Sequence, residues 1–202
     1  MGLRQMASDQ GTKQGVGMVG KSALLIMDAQ NGIVERYATT EQLKPLVKAL
    51  ETARRHQVGV IFVRVAFRPG YPDISPKNRS FSLLKSRAGM TEGDESTQIW
   101  HGLQPRENEV VVVKRRVSAF AGSGLELLLR SMGISHMILA GISTSGVVLS
   151  TLRQAADMDF ELTVLADACL DNDAEVHRVL VEKIFPRQAD VLSVEQWSAS
   201  LG

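Results

Sequence analysis

The chain has 202 residues, enough for one domain with a full hydrophobic core. It contains 44% apolar and 22% charged residues and has a formal net charge of +1. A charge so close to neutral argues against nucleic acid or an anionic membrane surface as the main partner, because either one favours a basic patch. No apolar run approaches the roughly 20 residues that a membrane span needs. We therefore expect a soluble protein whose partner is a small molecule.

The single cysteine, Cys169, allows no internal disulfide, which fits a reducing compartment such as the cytoplasm. The first 20 residues lack the apolar core of a secretory signal. They predict a flexible N-terminal arm at residues 1–20, followed by one domain at residues 21–202.

Apolar segments and segments of helical periodicity alternate along the chain. Buried strands are predicted at residues 23–27, 58–65, 110–114, 137–140, 162–166 and 189–194. Helices are predicted at residues 41–57, 124–132, 147–156 and 174–185, loops at 29–32, 66–103 and 142–146, and a short tail at the end. Strands that alternate with helices, each strand apolar throughout, predict one doubly wound α/β domain.

Two charged residues and one small-residue turn follow predicted strands directly. Asp28 follows the first strand, Lys114 ends the third, and residues 143–147 follow the fourth. Ligands of such sheets bind beyond the carboxyl ends of the strands, so we expect these three segments to converge. Partial desolvation would raise the pKa of Asp28 and suit it to proton transfer, whereas Lys114 would keep it ionised or orient a substrate oxygen. The alternative is that both are solvated strand ends.

Four segments, IMDAQNG, VVVKRRVSAF, GISTSGVVLST and LADACLD, match in order and spacing four blocks of one family. Over about residues 20–195 the chain resembles the isochorismatase-like (cysteine hydrolase) family. The resemblance implies a three-layer α/β/α sandwich with a six-stranded, mostly parallel, Rossmann-like sheet, and a homo-oligomer, either dimer or tetramer. It also implies that Asp28 is the catalytic aspartate and Lys114 the catalytic lysine.

In that alignment the family's nucleophilic cysteine falls on Val147, which has no nucleophilic atom. The resemblance also implies a cis peptide around Ser143 and Thr144. Cys169 matches a structural cysteine of the family. The hydroxyl residues nearest to the Val147 position are Ser143, Thr144 and Ser145. A serine nucleophile needs a base, and Asp28 is a poorer base than histidine. Ser145 is instead expected to cap the helix. Isochorismatases proper avoid a cysteine: they cleave a vinyl ether with the aspartate as general acid.

The remaining candidate residues concern substrate binding. Arg68 is expected to hold a carboxylate bidentately, and the alternative for its segment is a packed subunit interface. The full predicted set is Gln30, Phe67, Arg68, Tyr71, Phe120, Ser143, Thr144 and Ser145. No cofactor and no metal are expected, because the histidines that zinc-using relatives place after the second strand are absent from AFRPGYPD and no other histidine pair has ligand spacing.

Two functions remain open on the sequence. The first is an isochorismatase-like hydrolase that uses Asp28 and Lys114 without a cysteine on a small molecule, with a carboxylate-bearing compound as one option. The alternative is a catalytically inactive family member that acts as a binding or scaffolding protein. A hydrolase that depends on a serine or on Cys169 is a third, weaker interpretation.

Overall fold

In a computed structural model, which describes residues 21–85 and 89–202, six strands form one sheet in the order β3-β2-β1-β4-β5-β6. Every neighbouring pair is parallel. The strands are β1 (Lys21–Met27), β2 (Gly59–Val65), β3 (Val110–Lys114), β4 (Ile134–Ile142), β5 (Glu161–Leu170) and β6 (Asp190–Leu192). The predicted six-stranded α/β fold is confirmed. The predicted arm at residues 1–20 lies outside the described residues.

Helices cover both faces of this sheet. They are α1 (Asn31–Tyr37), α2 (Lys44–Arg55), α3 (Arg79–Lys85), α4 (Leu125–Met132), α5 (Leu149–Asp157), α6 (Ala174–Val179) and α7 (Val194–Ser200). Short 3-10 turns occupy Glu95–Thr97 and Phe185–Arg187, and wider π turns occupy Thr144–Val148 and Leu180–Ile184. Within the described ranges, no helix is long and apolar enough to cross a bilayer.

The core has a layer on each side of the sheet, which explains why β1 is apolar at consecutive positions. Leu25 and Met27 pack into one layer with residues of α4 and α5, whereas Leu24 and Ile26 pack into the other with residues of α2 and α7. Side chains alternate between the faces of a strand, so a strand covered on both faces must be apolar at every position.

Three helices were not predicted from the sequence. The loop expected at residues 29–32 instead leads into α1, whose first turn forms when Ile33 and Val34 donate to the Gln30 carbonyl oxygen. The expected tail contains α7, which begins with a capping box between Ser193 and Gln196. That Ser-x-x-Gln spacing was a readable signal for a helix start. Helix α3 lies inside the connection predicted as a loop.

The sheet order reverses between β1 and β4, which leave the sheet toward opposite faces. A crevice forms at such a switch point, outside the carboxyl ends of the strands. Here β1 and β4 approach very closely, because Gly141 pairs with Met27 and has a φ of 148°. A Cβ atom added at Gly141 would lie 2.1 Å from the Met27 carbonyl oxygen.

We expect Gly141→Ala to lower the free energy of unfolding by at least about 3 kcal/mol, because it adds a backbone clash to an unfavourable φ. Urea unfolding monitored by circular dichroism measures this change. Gly93→Ala is the matched control, since a Cβ there meets nothing within 4 Å and φ is not positive; it should shift stability by less than about 0.5 kcal/mol. Equal effects of the two substitutions would contradict the close approach of β1 and β4.

Candidate active site

A cavity of about 400 Å³ opens at the carboxyl ends of the central strands. Asp28 and Lys114 lie in it, and the turn after β4 contributes Ser143, Gly146 and Val147. The three segments expected to converge therefore do so. Apolar side chains form much of the wall: Ile33, Val65, Phe81, Leu84, Met90 and Val117.

Asp28 and Lys114 form a buried ion pair, with 2.8 Å between Lys114 Nζ and Asp28 Oδ2. Lys114 Nζ also donates to the carbonyl oxygens of Arg116 and Val117, each at 3.0 Å. These three acceptors use all three donors of the ammonium group. Lys114 is therefore fixed beside the carboxylate, and in this arrangement it has no further donor for a substrate oxygen.

The second carboxylate oxygen of Asp28, Oδ1, is buried and has no hydrogen-bond partner among the described residues. Burial raises the pKa of the Asp28 carboxyl, and the charge and hydrogen bond of Lys114 offset part of that rise. A buried acceptor without a partner is costly to keep in a folded protein. Asp28 also lines the cavity, although Oδ1 itself has almost no exposed surface in this arrangement.

Asp28 follows β1 in a left-handed conformation, with a φ of 55°. The chain then turns sharply, and the Gln30 N–H donates to the Asp28 carbonyl oxygen at 2.8 Å. The Gln30 side chain donates to the carbonyl oxygens of Val65 and Thr97, each at 2.9 Å, and accepts the Val65 N–H at 2.8 Å. Gln30 lines the cavity, but these bonds occupy its amide, so it supports the wall of the site.

The turn after β4 begins with a cis peptide bond between Ile142 and Ser143, on the amino side of the pair around which it was expected. Ser143 caps the following helical turn, because its Oγ accepts the Gly146 N–H at 3.1 Å. Ser145 was expected to be the cap, and that prediction was wrong: its N–H instead donates to Asp171 Oδ2 at 2.7 Å. Val147 lines the cavity and is only 2% exposed.

Residues 22–196 match the Isochorismatase domain. The chain belongs to the isochorismatase family. The protein YecD of Escherichia coli O157:H7, an uncharacterized member, is 42% identical over 183 residues, which cover 87% of this chain and 93% of YecD.

Two other relatives of this isochorismatase-family protein are informative. The ureidoacrylate amidohydrolase RutB of Yersinia enterocolitica is 29% identical over 170 residues, which cover 73% of this chain and 74% of RutB. A crystal structure of a cysteine hydrolase from Pseudomonas syringae pv. phaseolicola superposes with a TM-score of 0.82 at 21% identity, covering 90% of this chain and 92% of the other. The structural likeness supports the fold alone.

Six of the eight predicted substrate-binding residues of this family member lie outside the cavity lining: Phe67, Arg68, Tyr71, Phe120, Thr144 and Ser145. Phe67 is fully buried against Phe81 and Tyr71 in a small core of its own. The Tyr71 hydroxyl accepts the Met90 N–H, and Phe120 packs against Phe160. These aromatic side chains support the long connection and the core instead of contacting the cavity.

Arg68, the expected carboxylate ligand, is also outside the cavity lining. Its guanidinium pairs with Asp73, whose carboxylate also accepts the Arg68 backbone N–H at 2.9 Å. A local acidic partner therefore holds Arg68 in a separate surface depression. Thr144 also differs from the expectation: it is fully buried, and its Oγ1 shares a hydrogen bond of 2.9 Å with His177 Nδ1.

Residues of α1 take the place that was expected for Arg68. Gly32, Ile33, Arg36 and Tyr37 line the cavity. Once the segment is read as a helix, these positions share one face, since residues three and four apart are neighbours on a helix. The sequence therefore contained the spacing that places these residues on one face, but it was not recognised because a loop was predicted at residues 29–32.

Cys169 is buried at the end of β5 and does not line the cavity. Its Sγ lies 3.9 Å from the Leu139 carbonyl oxygen, and burial raises the pKa of its thiol to about 12. A thiol so protonated is a poor nucleophile at neutral pH. In residues 21–85 and 89–202, no three His, Cys, Asp or Glu side chains cluster in a way that could hold a metal ion.

Proposed function

We propose that this isochorismatase-family protein hydrolyses a small molecule with Asp28 as the proton-transfer group, Lys114 as its fixed partner and no cysteine nucleophile. The observation that carries the proposal is the Asp28–Lys114 pair in the cavity lining: Lys114 holds Asp28 Oδ2 at 2.8 Å, and Oδ1 has no hydrogen-bond partner among the described residues. A carboxyl whose pKa is raised by burial is better suited to proton transfer than one with an ordinary pKa.

The proposed reaction uses water as the attacking group. Its oxygen forms a bond to the electrophilic carbon of the substrate, and the carbon–oxygen or carbon–nitrogen bond to the leaving group breaks. Asp28, ionised in its pair with Lys114, takes the proton released by the attacking water and passes it to the leaving atom, so the carboxylate ends in its starting state. The apolar wall restricts the water around the reacting atoms, which strengthens electrostatic interactions there.

This proposal differs from thiol chemistry because a valine, Val147, stands at the proposed position of the nucleophile. We propose that Val147 occupies the family's nucleophile position, because it lies in the first turn after β4 and lines the cavity beside Asp28 and Lys114. A valine side chain shapes the cavity but forms no covalent intermediate. The reaction class of RutB, amide hydrolysis, and vinyl ether hydrolysis are the two chemistries that fit the pair of charged residues.

The test is hydrolysis of a panel of amides, ureides and vinyl ethers by wild type and by Asp28→Asn. Proton transfer by a positioned carboxyl contributes about 10²- to 10⁴-fold, so we expect Asp28→Asn to lose about 10³-fold in kcat/KM on any accepted substrate. Asp159→Asn is the matched control, because Asp159 also has a positive φ and lies away from the cavity. Unchanged turnover in Asp28→Asn would contradict the proposal.

A second function, a binding protein without turnover, is favoured by one observation: Val147 supplies no nucleophile to an otherwise open cavity. The same panel separates the two functions. If compounds bind to the wild type and none is hydrolysed, the binding function is supported and the hydrolase proposal fails.

A further inference from the structure

The cavity carries one guanidinium that the proposed reaction does not use. Arg36 lies in the last turn of α1, on the face that also presents Ile33 and Tyr37 to the cavity. Within the described part of the chain, its side chain takes part in no ion pair or hydrogen bond. Arg68 and Arg115 differ in this respect, since Arg68 pairs with Asp73 and Arg115 with Glu92.

The charges in the cavity lining are therefore unbalanced. Asp28 and Lys114 neutralise each other at the closed end, and among the described lining residues Arg36 adds a further positive charge without an acidic partner. Between these two ends lie apolar side chains, including Phe81, Leu84 and Met90. Such a cavity is complementary to a molecule with an apolar middle, one anionic end and one end that donates a hydrogen bond.

The helix sets the separation of the two ends. Arg36 lies five residues after the first residue of α1, which is about 8 Å along the helix axis. Asp28 lies just before the helix, at the end of β1. An anion at Arg36 and a reacting bond at Asp28 therefore belong to different parts of one ligand, separated by several bonds.

We infer that Arg36 anchors a carboxylate of the substrate, and that the substrate class is a short-chain acid whose far end carries the hydrolysed group. This inference rests on the proposed function for the identity of the reacting end. A guanidinium presents paired donors that match a carboxylate, and lysine does not reproduce that geometry. The apolar wall accommodates the chain between the two ends.

The experiment measures binding, so that it does not depend on turnover. The probes are the ω-amido acids from malonamate to adipamate, each compared with its uncharged diamide of the same length. Isothermal titration gives the affinity ratio of acid to diamide for wild type, Arg36→Gln, Arg36→Lys and Arg79→Gln. Arg79 is the control because it is exposed, carries the same charge and lies near the cavity without lining it.

We expect at least one acid to bind wild type about tenfold more tightly than its diamide, as a charge-assisted bidentate contact implies. Arg36→Gln should reduce that ratio to near one, Arg36→Lys should restore only part of it, and Arg79→Gln should keep it. If no acid exceeds its diamide, or if the preference survives in Arg36→Gln, the anchor is refuted. A preference without hydrolysis refutes the hydrolase proposal alone, whereas hydrolysis without the preference refutes the anchor alone.

Discussion

The Val147→Cys variant should contain a thiol that reacts with iodoacetamide at pH 7 several-fold faster than free cysteine does. The side chain at this position lies in the first turn of the helical segment after β4 and lines the cavity beside Asp28. The positive end of a helix lowers the pKa of a thiol, and the adjacent carboxyl can accept its proton. Valine and cysteine are close in volume, so the substitution should cost about 1 kcal/mol of stability.

Two controls make this result interpretable. Wild type should react slowly, because Cys169 is buried and its thiol pKa is raised to about 12. Adding Asp28→Asn to Val147→Cys should slow the labelling. A reactive thiol would mean that the apparatus for thiol chemistry persists around Val147. An inert thiol in a folded variant would mean that the cavity is reshaped around valine, which favours the binding function.

The second large effect is expected from removing one member of the buried ion pair. Lys114→Met should lower the free energy of unfolding by about 3–5 kcal/mol at pH 8, because it leaves the Asp28 carboxylate buried without a counter-charge. The variant also leaves the carbonyl oxygens of Arg116 and Val117 without their donor. Urea unfolding with an unchanged m value measures the loss.

The same variant should show a characteristic dependence on pH. The pKa of Asp28 is already raised in the folded protein, and loss of Lys114 removes a group that opposes the rise. The folded state then binds the proton more tightly than the unfolded chain does. Stability therefore falls as pH increases from the unfolded pKa toward the folded one, so the variant should lose less stability at pH 5 than at pH 8.

Lys77→Met is the matched control for this measurement, because Lys77 is exposed in the long connection. It should change stability by less than about 0.5 kcal/mol at either pH. The double variant Asp28→Asn/Lys114→Met should lose less unfolding free energy than the two single variants lose in sum, because it contains no unpaired buried charge. A loss for Lys114→Met that equals the control, or that does not vary with pH, would contradict the buried pair.

The sheet was predictable because its physical cause is local. Strands covered on both faces must be apolar at consecutive positions, and residues 23–27 and 60–63 are. The convergence of Asp28 and Lys114 was predictable as well, because parallel strands end at one edge of the sheet. Short helices were harder to predict from the sequence: α1 has seven residues, no side-chain cap and a glycine at its second position.

The identity of the arginine in the cavity was not predictable from residue type. Arg68 and Arg36 have the same chemistry, and Arg68 was favoured because it lies in the long connection after β2. Its neutralisation by Asp73, five residues later, depends on how the connection folds back, and no periodicity describes that. Burial misleads in the same way at Phe67, where an aromatic expected at the ligand packs into a core cluster.

The bonds of Gln30 have a consequence for how the carboxylate of Asp28 is presented. An amide side chain that accepts one N–H and donates to the carbonyl oxygen of the same residue, Val65, imitates the peptide unit of a neighbouring strand. The main chain can therefore leave the ladder at Asp28 while the end of β2 stays fully paired. The Gln30 side chain thus completes the hydrogen bonds at the end of β2, and the backbone at Asp28 is free to turn away at the cavity that Asp28 lines.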